Sequence, residues 1–83
     1  MKSFLPLGTV VQLKDENKKL VIVDRLQRNT LENKVYDYAA HLYPEGKVNK
    51  SVSLFNNEDI AVVIHRGYSD AEEEVFIEFL NEV

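Results

Sequence analysis

Gly67-Tyr68-Ser69-Asp70-Ala71-Glu72-Glu73-Glu74, continuing through Val75-Phe76-Ile77-Glu78-Phe79-Leu80 to Val83, is the stretch that decides the fold. Ser69 is a favourable N-cap, because its hydroxyl can accept from an otherwise unpaired backbone N–H. Glu72, three residues on, would complete a capping box by reaching back to the N-cap amide. The acidic first turn suits the positive end of a helix dipole. At about 100° per residue, Val75, Phe76, Phe79, Leu80 and Val83 share one arc, with Glu74, Glu78 and Glu82 mostly opposite. A helix this short does not persist alone in water, so its apolar arc is expected to cover a preceding body.

That body reads as β-structure. Thr9–Lys14 is β-branched and partly alternating. After the polar turn Asp15–Lys18, Lys19–Arg25 forms a second strand, and the unbroken apolar run Leu20–Val23 predicts a central position covered on both faces. Leu26–Lys34 is polar and predicts an extended hairpin loop. Val35–Tyr43 is a third strand, favoured over a helix by its β-prone tyrosines and the proline that follows. Pro44-Glu45-Gly46-Lys47 has turn chemistry. Ser51–Phe55 is a short strand expected at an edge. Asn56–Asp59 is an Asx-type corner, and Ile60–Arg66 is a fifth, buried-looking strand closed by Gly67. The expectation is therefore α+β: a strongly bent antiparallel sheet or small open barrel of about five strands, capped by one C-terminal helix.

Eighty-three residues with 45% hydrophobic and 29% charged side chains predict one globular domain, residues 1–83. The chain has no cysteine, which excludes disulfide and thiolate chemistry and fits a reducing cytoplasm. No signal peptide and no apolar run of membrane-spanning length is visible, so a cytoplasmic protein without a membrane role is expected. The net charge of −4 is uneven, since residues 69–83 carry six carboxylates and no lysine or arginine. Such a surface repels phosphate and anionic lipid and suits a basic partner.

Signs of catalysis are sparse. The two histidines, His41 and His65, lie in separate strands without metal-ligand spacing. Asp37 would share a strand face with His41, but at roughly 13 Å. Ser51, Ser53 and Ser69 lack nucleophile-elbow context. Phosphate-loop, dinucleotide, calcium-loop and zinc-protease signatures are missing. Asp37, Glu45 and Asp59 read as solvated turn carboxylates. No enzyme activity, cofactor or metal is expected. Single-stranded nucleic-acid binding is the rival class, because small barrels stack bases on surface aromatics. Here, however, the basic residues of the first half alternate with Asp15, Glu16, Asp24 and Glu32 instead of clustering. Protein binding remains, with self-association through the Val52–Phe55 edge compatible with it, as a monomer or weak homodimer.

Several blocks together carry a family resemblance: Leu5-Pro6-Leu7-Gly8-Thr9-Val10-Val11, Lys18-Lys19-Leu20-Val21-Ile22, Tyr36-Asp37-Tyr38, Tyr43-Pro44-Glu45-Gly46, Phe55-Asn56-Asn57-Glu58-Asp59-Ile60 and Gly67-Tyr68-Ser69-Asp70. In this order they resemble a family of small uncharacterised proteins of Gram-positive bacteria, commonly encoded beside type VII secretion systems and their LXG-domain toxins. The resemblance implies a small cytoplasmic accessory, adaptor- or chaperone-like, that binds such a toxin or its helical targeting proteins. It brings no catalytic residues. Within the shared blocks, Tyr36, Tyr38, Tyr43, Glu45, Asn56 and Tyr68 are the side chains expected to be able to reach a protein partner.

Overall fold

The computed structural model describes residues 1–83. Five antiparallel strands form one open sheet: β1 (Val10–Leu13), β2 (Lys19–Asn29), β3 (Lys34–Tyr43), β4 (Ser53–Phe55) and β5 (Ile60–His65), in the order β4-β3-β2-β1-β5. A single helix, α1 (Ala71–Leu80), follows. The fold is α+β with a sheet that does not close into a barrel. No helix is long and apolar enough to cross a membrane.

β2 and β3 form a longer hairpin than the sequence predicts, because pairing runs past Arg25 through Gln27↔Tyr36, Arg28↔Val35 and Asn29↔Lys34. The expected loop is mostly ladder. Its polar side chains report that the ribbon extends beyond the core into water, and backbone pairing does not depend on them. A register shift between Ile22 and Asp24 leaves Val23 as the extra residue of a bulge. Beyond the bulge the core face continues with Arg25, directly opposite Tyr38.

One face of the sheet is covered. Val11, Leu20, Ile22, Tyr38, Ala40 and Phe55 meet Phe4 from the N-terminal segment and Leu80 from α1. The other face has no covering layer. Lys19, Tyr43, Val62 and His65 are exposed there, and Val10, Val21, His41 and Leu54 half-buried. Leu20–Val23 is thus central but covered on one side only, since Val23 is 37% exposed. β5 departs further from expectation: it ends the sheet, and all its residues but Ile60 are exposed. A continuous apolar run is compatible with either position, and only the strand order distinguishes them.

The helix starts one residue later than the capping pattern suggests. Asp70 is the N-cap, and its Oδ1 accepts from the Glu73 amide at 3.1 Å. Glu73 sits where a capping-box glutamate would, but its carboxylate is drawn away to Arg25. The helix is also turned relative to its predicted arc. Glu73, Ile77 and Leu80 approach the body, whereas Val75, Phe76, Phe79 and Val83 face solvent. Two polar clamps set this rotation: Arg25–Glu73 near the first turn, and Asn81 at the end. The Lys2 amide donates to Asn81 Oδ1 at 2.8 Å, and Asn81 Nδ2 donates to the Lys2 carbonyl at 2.9 Å. Charge-assisted and backbone-directed bonds of this kind are strong and directional, so they hold the helix in this orientation.

Gly67, two residues past the end of β5, is required for a steric reason. A Cβ placed there would lie 2.1 Å from the Leu7 carbonyl oxygen and 3.0 Å from the Thr9 nitrogen. The Gly67 amide donates to Thr9 Oγ1 at 3.0 Å, and that hydroxyl donates in turn to the Pro6 carbonyl at 2.7 Å. Two backbone segments therefore touch at this point. Gly67→Ala must push them apart and is expected to cost about 1–3 kcal/mol, read as a lower midpoint in urea unfolding with an unchanged slope. A variant within error of wild type would show that the approach is not tight.

Candidate functional site

Asp37, Tyr38 and Asn57 are tied into a network of structural hydrogen bonds. Asp37 is 5% exposed. It accepts from Lys2 Nζ at 2.8 Å and from the Asn57 amide at 2.9 Å, while its own amide donates to Asn56 Oδ1 at 3.0 Å. The Tyr38 hydroxyl accepts from the Leu5 amide and donates to Asn57 Oδ1. Asn57 Nδ2 donates to the Ser3 carbonyl. Together these bonds tie residues 2–5 across the 3₁₀ turn Asn57–Asp59 that occupies the predicted Asx corner. The hydrogen bond and charge of Asp37 raise the Lys2 ammonium above its usual range.

Asp37, Glu45 and Asp59 do not converge, and Asp37 is buried instead of solvated as the sequence suggested. Asp37 is held as above, Glu45 pairs with Lys18 at 2.7 Å, and Asp59 accepts from the Asn56 amide at 2.8 Å. The Lys18 hydrogen bond lowers the Glu45 carboxyl below its usual range. No group of three or more His, Cys, Asp or Glu is placed to hold a metal ion.

The residues expected to reach a partner lie apart. Tyr38 is fully buried and cannot do so: it follows Asp37 on the strand and turns onto the core face between Phe4 and Phe55. Asn56 is half-buried and bonded to Asp37. Tyr36 stands near the β2–β3 tip, where its hydroxyl donates to Glu32 at 2.9 Å and Lys34 Nζ lies 5.0 Å from its ring centroid. The Glu32 bond raises its phenol above the ordinary range. Tyr43 is on the uncovered face at the other end of β3 under Lys19, with Glu45 just beyond. Tyr68 is 81% exposed and leans on Asp70. These side chains do not form one patch or a basic aromatic groove.

One apolar display lies where the sequence predicted burial. On α1, Val75 (65% exposed), Phe76 (47%) and Phe79 (53%) share the outer face, and Val83 (78%), three residues past the helix, is exposed as well. The rings of Phe76 and Phe79 stack with centroids 5.8 Å apart. Glu72 and Glu78 lie among and beside them, and Arg25, over the Phe76 ring at 5.6 Å, is already paired with Glu73. Tyr68 and Leu7 line a shallow groove with Phe76 at the start of the helix. Apolar surface grouped in this way and rimmed by charge is characteristic of a protein-contact site. Its residues were visible in the sequence as one arc, but which way the arc turned was not.

No curated protein and no solved structure matched the chain. A family model covers residues 4–76, nearly the whole length, including all five strands and the first turns of α1. The chain therefore belongs to the DUF4176 family, a domain of unknown function.

Proposed function

We propose that this protein is a non-catalytic, protein-binding accessory and that its partner seats on the outer face of α1. The observation that carries this reading is the exposure of Val75, Phe76 and Phe79 on one face of α1 beside Glu72 and Glu78. An apolar helix or strand flanked by lysine or arginine has the complementary chemistry: the apolar stripe supplies affinity, and the charges supply orientation and encounter rate. The sequence resemblance supports a cytoplasmic adaptor or chaperone-like role, with an LXG-domain toxin or its helical targeting proteins as the partner. The engagement of Asp37, Glu45 and Asp59 in internal bonds supports a role without catalysis.

The test is a pull-down from the native host after nuclease treatment, read by mass spectrometry, with Phe76→Ser/Phe79→Ser alongside wild type. Wild type is expected to retain an LXG-type toxin or its helical partners. The double variant should lose them, with affinity falling about 30-fold or more, as for paired aromatic anchors. Both side chains are about half exposed, so its melting temperature should change little. Recovery of nuclease-sensitive material alone would overturn the accessory reading in favour of single-stranded nucleic-acid binding. Undiminished toxin recovery by the folded double variant would remove the partner from this face.

A further inference from the structure

We propose that the protein self-associates through β5, whose outer edge pairs antiparallel with β5 of a second copy about a two-fold axis normal to the sheet. β5 has a neighbour on one side only, β1. Val62, Val63 and Ile64 are 48%, 42% and 46% exposed. Edge strands are ordinarily blunted by lysine, proline, shortness or a covering segment. The run Ile60-Ala61-Val62-Val63-Ile64 has no lysine or proline, and residues 61–66 are all exposed. The one protective device present is a pair of register shifts against β1. They fall on either side of the regular pairs Val11↔Val63 and Gln12↔Val62 and leave these two valines as the straight centre of the edge. β4, the other edge, has only three residues, so it offers far less for pairing.

The charge at the strand's two ends selects a second copy as the occupant. Glu58 and Asp59 precede β5, and His65 and Arg66 close it. Glu58 and Arg66 enter none of the chain's ion pairs, which are Lys2–Asp37, Lys18–Glu45 and Arg25–Glu73. Antiparallel self-pairing lays the acidic end of each strand on the basic end of the other, and the two-fold axis makes the match twice. Parallel pairing would set like on like. An axis normal to the sheet keeps each face continuous, so one residue must face its own copy. Centring on Val62 places Ala61 opposite Val63 and the Glu58–Asp59 end opposite His65–Arg66. The shallow groove beside this edge, lined by Phe4, Ile60, Val63 and Arg66, would then be closed by the second copy. The edge shares no residue with the α1 face, so the two contacts can fail independently.

Light scattering and sedimentation of the purified protein test this directly. The mass is expected to rise with concentration from 9.6 kDa to twice that value. Val62→Lys sets two lysines face to face on the axis and should weaken association about tenfold or more. Glu58→Arg and Arg66→Glu should each weaken it, and their combination should restore it. The chain has no native cysteine. Opposed strands bring Cα atoms to about 4.5–5.5 Å, so Val62→Cys should form an intermolecular disulfide on mild oxidation, whereas Val52→Cys should not. A 9.6 kDa species persisting to about 1 mM would overturn the proposal. So would a dimer unmoved by Val62→Lys and both charge reversals, or cross-linking through Val52→Cys alone. If Val62→Lys does not fold, judged by its circular dichroism, the charge swap and the cross-link decide.

Discussion

Arg25→Ala is expected to bring this protein close to unfolding at room temperature. The Arg25 side chain is 4% exposed and its partner Glu73 15%. The guanidinium holds the carboxylate with two bonds, at 2.5 and 2.9 Å, and a further N–H donates to the Leu5 carbonyl at 3.1 Å. One side chain thus joins β2, the N-terminal segment and α1. Removing it leaves a carboxylate largely out of water without its counter-charge, and a carbonyl without its donor. Breaking one partner of a buried pair costs about 3–5 kcal/mol, against a total of about 4–12 kcal/mol for a domain of this size. A drop in melting temperature of roughly 12–40 °C follows.

Arg25→Lys keeps the charge but not the planar fork, and should fall between wild type and Arg25→Ala. The informative control is Arg25→Met/Glu73→Leu, which removes both charges together and should recover most of the loss. Thermal and urea unfolding give the order. An Arg25→Ala variant within about 1 kcal/mol of wild type would mean the pair behaves as a solvated surface bridge.

Tyr38→Ala is expected to be equally severe for a different reason. Its ring is fully buried, edge-on to Phe4 at 6.3 Å and tilted against Phe55 at 5.5 Å. Truncation opens a cavity in the centre of a small core, at about 3–5 kcal/mol. Tyr38→Phe keeps the rings but strips the Leu5 amide of its acceptor and Asn57 of its donor, for about 1–3 kcal/mol.

The two variants also differ in alkali. Burial pushes the Tyr38 phenol above its ordinary value of 10.0, and Asp37 raises Lys2 above 10.5. Both folded-state values are raised, so both contributions are complete below about pH 10 and are lost as pH climbs through the folded values. Wild type should therefore lose stability steadily above pH 10. Tyr38→Phe, less stable at neutrality, should show a shallower decline, with the Lys2 part remaining. Denaturant midpoints between pH 8 and 12 would reveal it. Parallel declines in the two proteins would show that the phenol does not titrate with unfolding.

Among the elements, local chemistry was most legible where it left one solution. The turn at Pro44–Lys47 and the corner at Asn56–Asp59 specify their own conformation, as do the β-branched run of β1 and the paired tyrosines and following proline of β3. The β2–β3 ribbon was under-read because Gln27, Arg28 and Asn29 look like loop, although their backbone groups pair with Tyr36, Val35 and Lys34. Tyr38 was legible as a strand residue but not as a core residue, since Tyr36 shares its sheet face and differs only in lying farther from Phe4 and Phe55.

By itself, then, the sequence determined the class of the fold: five strands, one terminal helix, an acidic end and no thiol chemistry. These follow from periodicity, turn residues and composition, which are properties of neighbours along the chain. Only the tertiary structure decided which apolar surfaces are buried. Val75, Phe76 and Phe79 have the same hydrophobicity pattern whether α1 faces the sheet or solvent, and Ile60–Ile64 reads the same at a centre or an edge. Strand order and the bonds of Arg25 and Asn81 settle both, because they join residues 48 and 79 positions apart, a separation local pattern cannot span.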